Sequence, residues 1–200
     1  MQLRTPLATV AVLALASMPL LAPIAAYAIP GTPTPGPRAA VASTQLSLSQ
    51  LTERVEQQVL SAYPNAYLVE VDGVAPGGPT TDIADVTSWT YRFNDVKDSE
   101  RTFHASVAAS LDGIIGAPQI KDGVWAGSTT LHPPVTMEPA TADHLLKAAG
   151  YTGPYTYVTL RQPNAGGFMP HPLYIFDQIT PAGRGYVGVD TVAGDVAFIS

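Results

Sequence analysis

Two stretches decide the fold: residues 88–110, SWTYRFNDVKDSERTFHASVAAS, and residues 173–190, LYIFDQITPAGRGYVGVD. In the first, Trp89, Tyr91 and Phe93 alternate with Thr90, Arg92 and Asn94, and Phe103, Ala105 and Val107 alternate with His104 and Ser106. A period of two is that of a strand with one buried face, and the polar run Asp95 to Glu100 between the arms makes them a hairpin. The second stretch has the same form, with arms Leu173 to Ile179 and Gly185 to Thr191 around Pro181 to Gly183. A shift of 83 positions lays Tyr91 and Phe93 on Tyr174 and Phe176, Phe103 on Tyr186 and Asp112 on Asp195 without a gap.

Outward from the hairpins, a common order of elements emerges. Leu48, Leu51, Val55, Val59 and Leu60 recur at threes and fours between Leu46 and Tyr63, so this segment is expected to be an amphipathic helix that Pro64 ends. A strand over Ala66 to Val71 and a Gly- and Pro-rich loop follow, then the hairpin, then a short strand opening at Ile114-Ile115. In the second half a helix with Thr141 as N-cap and Gly150 as stop precedes a strand through Tyr155, Tyr157, Thr159 and Arg161, the second hairpin and a last strand, Val196 to Ile199. The expected fold is α+β: two repeats, 46–120 and 140–200, each a helix packed on a curled antiparallel sheet of about four strands, joined by a connection over 121–139.

The closing segment Tyr186-Val187-Gly188-Val189-Asp190, followed by Ala193-Gly194-Asp195-Val196, resembles PepSY-type and related cystatin-like domains of exported bacterial proteins. The likeness covers about sixty C-terminal residues and is weaker in the first half, where the turn reads Ser110-Leu111-Asp112-Gly113. It implies a noncatalytic module of the cell envelope, with peptidase inhibition or autoinhibition one role, and it carries over no catalytic residue.

The N-terminus points to export. Arg4 heads an apolar stretch from Leu7 to Ala26 that is interrupted by Pro19 and Pro23 and ends in Ala26-Tyr27-Ala28, the small-x-small pattern of a signal peptidase site. Residues 1–28 are therefore expected to be a signal peptide, with no stable membrane insertion after its removal. Residues 29–45, with Pro30, Pro33, Pro35 and Pro37 and no apolar periodicity, are expected to be a Pro-rich tether. A secreted or periplasmic protein follows. The formal charge of −6 argues against nucleic acid as a partner, since such proteins draw affinity from clustered cations. The absence of Cys removes disulfides, thiol nucleophiles and Cys-ligated metal sites.

The 83-residue shift also assigns faces. With Trp89, Tyr91, Phe93, Phe103, Ala105 and Val107 on the helix, the other face of the first hairpin carries Thr90, Arg92, His104 and Ser106, whose counterparts are Leu173, Ile175, Val187 and Val189. An antiparallel sheet open to water is polar on that side, so these four aliphatics are expected to be covered. The cover is either the connection, through Val124, Trp125, Leu131, Val135 and Met137, or an envelope or secreted protein bound to that face.

Catalytic and metal motifs are not found. His104, His132, His144 and His171 are scattered without metal-ligand spacing, and Met169-x-His171 with Met137 and His132 is more simply read as turn residues beside proline. Gly127-Ser128 lacks the second glycine of a nucleophile elbow, and Gly77-Gly78 and Gly166-Gly167 lack the lysine of a phosphate loop. Asp95, Asp98 and Glu100, and Asp82 and Asp85, fall in loops where acids are ordinary turn formers. No cofactor, metal or catalytic residue is expected. The function this leaves is a binding or inhibitory module acting on a peptidase or other envelope protein; an exported hydrolase with carboxylates between the repeats and a purely structural envelope protein are the alternatives.

Overall fold

The computed structural model describes residues 45–98, 101–164, 170–180 and 183–199. The expected signal peptide and nearly all of the tether lie outside the described residues. Helix α1 (Leu48–Ala62) starts at Ser47, whose side chain accepts from the Gln50 N–H while the Gln50 side chain accepts from the Ser47 N–H, a reciprocal cap. It buries Leu48, Leu51, Thr52, Val55 and Val59, while Leu60 falls off the stripe and is partly exposed. Helix α2 (Pro139–Ala148) begins before the expected Thr141. Pro139 sits at its first turn, where the fixed φ of proline suits a helix and its missing N–H costs nothing, so Glu138 becomes the N-cap. The Glu138 carboxylate makes no bond to its own helix; it accepts from the Leu48 and Ser49 N–H groups of α1 at 2.9 and 3.2 Å.

The strands are β1 (Tyr67–Val74), β2 (Ser88–Asp98), β3 (Arg101–Ser110), β4 (Gln119–Asp122), β5 (Ser128–Thr129), β6 (Tyr155–Pro163), β7 (Leu173–Thr180), β8 (Gly183–Asp190) and β9 (Val196–Ile199). The strand expected at Ile114-Ile115 is instead a single bridge from Ile115 to Ala109, and β4 forms four residues later. The protein is α+β, with one open antiparallel sheet in the order β4-β3-β2-β1-β6-β7-β8-β9 and β5 paired to β6. Two separate sheets were expected; antiparallel pairing of β1 with β6, Glu70 opposite Arg161 through Val74 opposite Tyr157, joins them. Both helices lie on one face. Thr52 of α1 donates to the Tyr91 hydroxyl of β2, and the Tyr155 hydroxyl of β6 donates to Asp143 of α2. One continuous core results, in which Leu51, Val55, Ala142 and Leu146 meet Trp89, Tyr91, Phe93, Tyr174 and Phe176.

The register corrects the sequence-based alignment of the hairpins. Tyr91 faces Val107 and Phe93 faces Ala105, but beyond an irregularity between Phe93 and Val96 the pairing steps by one residue, Val96 to Phe103. Asp95, with φ 57°, sits in that step. The β7–β8 hairpin has no such step and pairs Tyr174 with Val189 and Phe176 with Val187 throughout. The counterparts of Ala105 and Val107 are therefore Val187 and Val189, one position from the gapless shift. A one-residue slip turns every side chain of a strand to the other face. Val187 and Val189 accordingly belong to the helix-side core, and Tyr186 faces out.

Candidate functional site

The helix-free face of the sheet carries a charged groove. Alternation from the core residues Val71, Tyr91, Val158 and Phe176 puts Glu70 and Asp72 of β1, Thr90 and Arg92 of β2, Thr159 and Arg161 of β6, Ile175 of β7, and Arg184 and Tyr186 of β8 on this side. They line an open hollow of about 850 Å³ centred on the β1–β6 pair, with Tyr157 and Ile199.

At one end Arg92 donates to Asp72, with Nε and Nη2 at 3.1 and 3.0 Å from Oδ2, and lies 3.4 Å from Glu70. Its guanidinium stacks 3.8 Å from the centre of the Trp125 ring. Trp125 is fixed by two bonds to the Asn94 side chain, and its indole N–H donates to Glu70 at 3.0 Å; Ser128 donates to the other Glu70 oxygen at 3.2 Å. Arg161 Nη1 lies 3.7 Å from that oxygen. Glu70 is only 5% exposed. Burial, then the charge of Asp72, raises its carboxyl above the ordinary value, and Arg161, Ser128 and Trp125 pull it down without cancelling this. Thr159 donates to Asp72 at 2.8 Å.

At the other end Asp177 of β7 stands opposite Tyr186, with its side chain fully buried. Its Oδ2 accepts from Thr156 at 2.6 Å and from Arg184 at 3.0 Å; Arg184 also donates to Thr156 and is 59% exposed. Tyr157 donates to the Tyr186 hydroxyl at 3.4 Å. That bond, with burial, pushes the Tyr157 phenol up to about 12. Two buried polar atoms on this face have no hydrogen-bond partner among the described residues: Arg161 Nε and Asp177 Oδ1.

The four aliphatics singled out from the sequence divide between the faces. Leu173 and Ile175 lie on the groove side, opposite Asp190 and Gly188 of β8, whereas Val187 and Val189 are in the core. Gly188 makes the packing around Leu173 possible: a Cβ there would fall 2.7 Å from Ile199 Cδ1 and 3.5 Å from Leu173 Cδ1. All four are buried, Leu173 at 2% and Ile175 at 5% exposure on the groove side. Trp125 of the connection covers Glu70 and Arg92, and the chain then crosses to the helix side, where Leu131 joins the core with Val135 and Met137 packed against it. A second hollow of about 440 Å³ lies there, between α1 and Leu131 to Val135, with Glu53 and Glu56 at its edge. Burial, then the charge of Glu53, raises the Glu56 carboxyl.

Of the histidines, His104 bonds the Gly123 carbonyl and packs against Trp125 with ring centres 5.7 Å apart and planes tilted by 55°, and His171 pairs with Asp190 at 3.0 Å. Met169 lies outside the described residues. Among the described residues no group of three or more His, Asp or Glu stands where it could hold a metal, and no helix is long and apolar enough to cross a membrane. Sequence reading passed over Glu70, Asp72, Arg161, Asp177 and Arg184. The available signal was the polar phase of each strand: Glu70 and Asp72, Thr159 and Arg161 are spaced by two, as Thr90 and Arg92 are.

No family model matches this chain, and no curated protein matches it. Neither supports the likeness to PepSY-type or cystatin-like domains. Among solved structures, the chain is similar to a protein of Clostridium difficile 630 described as a "putative lipoprotein". Sequence identity is 11% and the TM-score 0.48, over 76% of this chain and 91% of the other.

Proposed function

We propose that the protein is an exported, noncatalytic binding module of the cell envelope whose binding surface is the helix-free face of the sheet. The observation that carries this reading is the groove: a hollow within the 300–1,000 Å³ usual for ligand sites, floored by a rigid sheet, with Tyr157, Tyr186, Ile175 and Ile199 beside fixed charges. Its carboxylates are held in ion pairs with Arg92, Arg161 and Arg184, an arrangement suited to recognition. Export rests on the sequence of residues 1–28. An internal duplication fits the same picture. A helix followed by a run of strands occurs twice in chain order, β1 to β4 with the two-residue β5 after α1 and β6 to β9 after α2, and the hairpins correspond once the step at Asp95 is allowed for.

A second reading, an exported hydrolase, takes support from the adjacent acids Glu70 and Asp72, one with a raised pKa. Against it, Trp125 and Ser128 occupy both Glu70 oxygens. The deciding experiment retains envelope proteins and small molecules on the immobilised full chain, compared with Tyr186→Glu and Thr90→Glu in the groove and Glu53→Lys on the helix side. Loss confined to the groove variants is expected. Retention that survives both groove variants, each shown to be folded, overturns the reading.

A further inference from the structure

The hollow on the opposite face of the sheet from the groove has a composition of its own. Its floor is the helix side of β6 and β7, where Leu160 and Tyr174 are 3% and 1% exposed, and α1 and residues 131–135 wall it. Its volume of about 440 Å³ is inside the range of small-molecule sites. Leu48, Leu131, Pro134 and Val135 continue the apolar lining. The charged lining is of one sign: Glu53 and Glu56, three residues apart on one face of α1, with no Lys, Arg or His among the lining residues. His132, beside Leu131, is exposed and outside the lining. Neither acid pairs with a cation among the described residues. Glu53 accepts from Gln57 at 3.4 Å, and Glu56 is half-buried beside the like charge of Glu53. Glu138, a third acid at the start of α1, is already committed to the Leu48 and Ser49 N–H groups.

We infer that this cavity binds a small organic amine, its apolar body over Leu131, Leu160 and Tyr174 and its ammonium at Glu53 and Glu56. Apolar area gives such a ligand its affinity, and the two carboxylates choose its head group. An anion of the same shape meets like charge, and a neutral one leaves both acids uncompensated. A bare divalent cation has no use for the apolar floor, and two carboxylates fall short of the about six to eight oxygens that Ca²⁺ takes. The burial and like charge that raise the Glu56 carboxyl are what a bound ammonium relieves. This site is independent of the groove, and either stands without the other. A small amine makes few contacts and is washed from an immobilised chain, so retention there reads the groove alone.

Titration of the full chain with phenylbutylamine, phenylbutanol and phenylbutanoate at neutral pH and low salt tests the inference, since the three share one body and differ in charge. Backbone amide resonances locate the contact. The amine should shift the signals of Leu131, Leu160 and Tyr174 and bind about fivefold or more tighter than the alcohol, with the carboxylate weakest. That advantage should shrink at high salt. Glu56→Gln, which keeps the size of the side chain and removes its charge, should bring amine and alcohol closer, and Glu53→Gln combined with Glu56→Gln should make them equal. Thr90→Glu in the groove should change nothing. Equal binding of the three probes to the parent overturns the inference, as does an amine preference that survives the double change in a folded protein. If the same signals respond only to protein concentration, a second copy fills the cavity and the inference falls; if no probe moves them, it falls as well. None of these results bears on the groove.

Discussion

Replacing Arg184 with Ala tests whether the sheet holds a buried charge that depends on one surface side chain. Asp177 has no exposed side-chain surface, and its ionised carboxylate is supported by Thr156 and Arg184 on a single oxygen. Removing one partner of a fully buried pair costs about 3–5 kcal/mol, whereas an exposed pair contributes about 0–1. Arg184 is 59% exposed, so solvent screens its half of the interaction and the expected loss lies between these, about 1–3 kcal/mol. For a chain of this length that is a drop of about 2–4 °C in Tm per kcal/mol. The sign of a second change sharpens the test. Asp177→Asn leaves Arg184 hydrated at the surface and keeps an acceptor for Thr156, so it should cost less than Arg184→Ala. The double variant should be more stable than Arg184→Ala alone, because it removes the stranded charge. Thermal and urea unfolding of the four proteins measures this. If Arg184→Ala unfolds within about 0.5 kcal/mol of the parent, or the double variant is the least stable, the carboxylate is not the desolvated, Arg-dependent charge described above.

Three further perturbations probe other parts of the molecule. Val187→Asp should prevent folding by burying an unpaired charge opposite Phe176, while Tyr186→Asn, at a position 43% exposed, should cost no more than about 1 kcal/mol; circular dichroism showing the reverse order would restore the gapless hairpin alignment. Glu138→Ala removes acceptors from two N–H groups at the start of α1 and should lower stability by about 1–2 kcal/mol in urea, with no effect counting against that cap. Glu70→Gln should change how stability depends on pH. The carboxyl is raised in the folded protein, so the native state binds its proton more tightly than the unfolded chain does, and this stabilisation is present below the ordinary value of 4.5 and lost as pH rises through the folded value. Glutamine does not titrate, so the variant should gain on the parent as pH climbs from about 4. A gap that stays flat or closes would mean that Arg161, Ser128 and Trp125 outweigh burial.

The helix-side core was legible in the sequence because each strand announces it locally: the alternation of Trp89, Tyr91 and Phe93, or of Tyr174 and Phe176, needs no knowledge of a partner. Sheet continuity was not legible, since nothing local tells β1 that it pairs with β6 across eighty intervening residues. The groove failed to show for the same reason. Glu70 meets Trp125, Ser128 and Arg161, and Asp177 meets Thr156, so each isolated acid reads as a solvated surface residue until the topology brings its partners in.

The misassigned face has a different and more instructive cause. Asp95 occupies a left-handed backbone conformation, which Asn and Asp adopt more readily than other side chains, and it sits where the β2–β3 register steps by one. That single extra residue lies beyond Trp89, Tyr91 and Phe93, so the alternation of those three and that of Phe103, Ala105 and Val107 each still read correctly by themselves. Only the relation between arms changes, and with it the face of every residue on the second arm. Two consequences follow for the groove. Val187 and Val189 are withdrawn into the core, and Arg184 and Tyr186 turn outward beside Asp177. The face that the gapless alignment filled with four aliphatics thereby keeps only Leu173 and Ile175, and its β8 side is charged and aromatic. The polar character of the groove therefore depends on the β7–β8 hairpin lacking the step that the β2–β3 hairpin has.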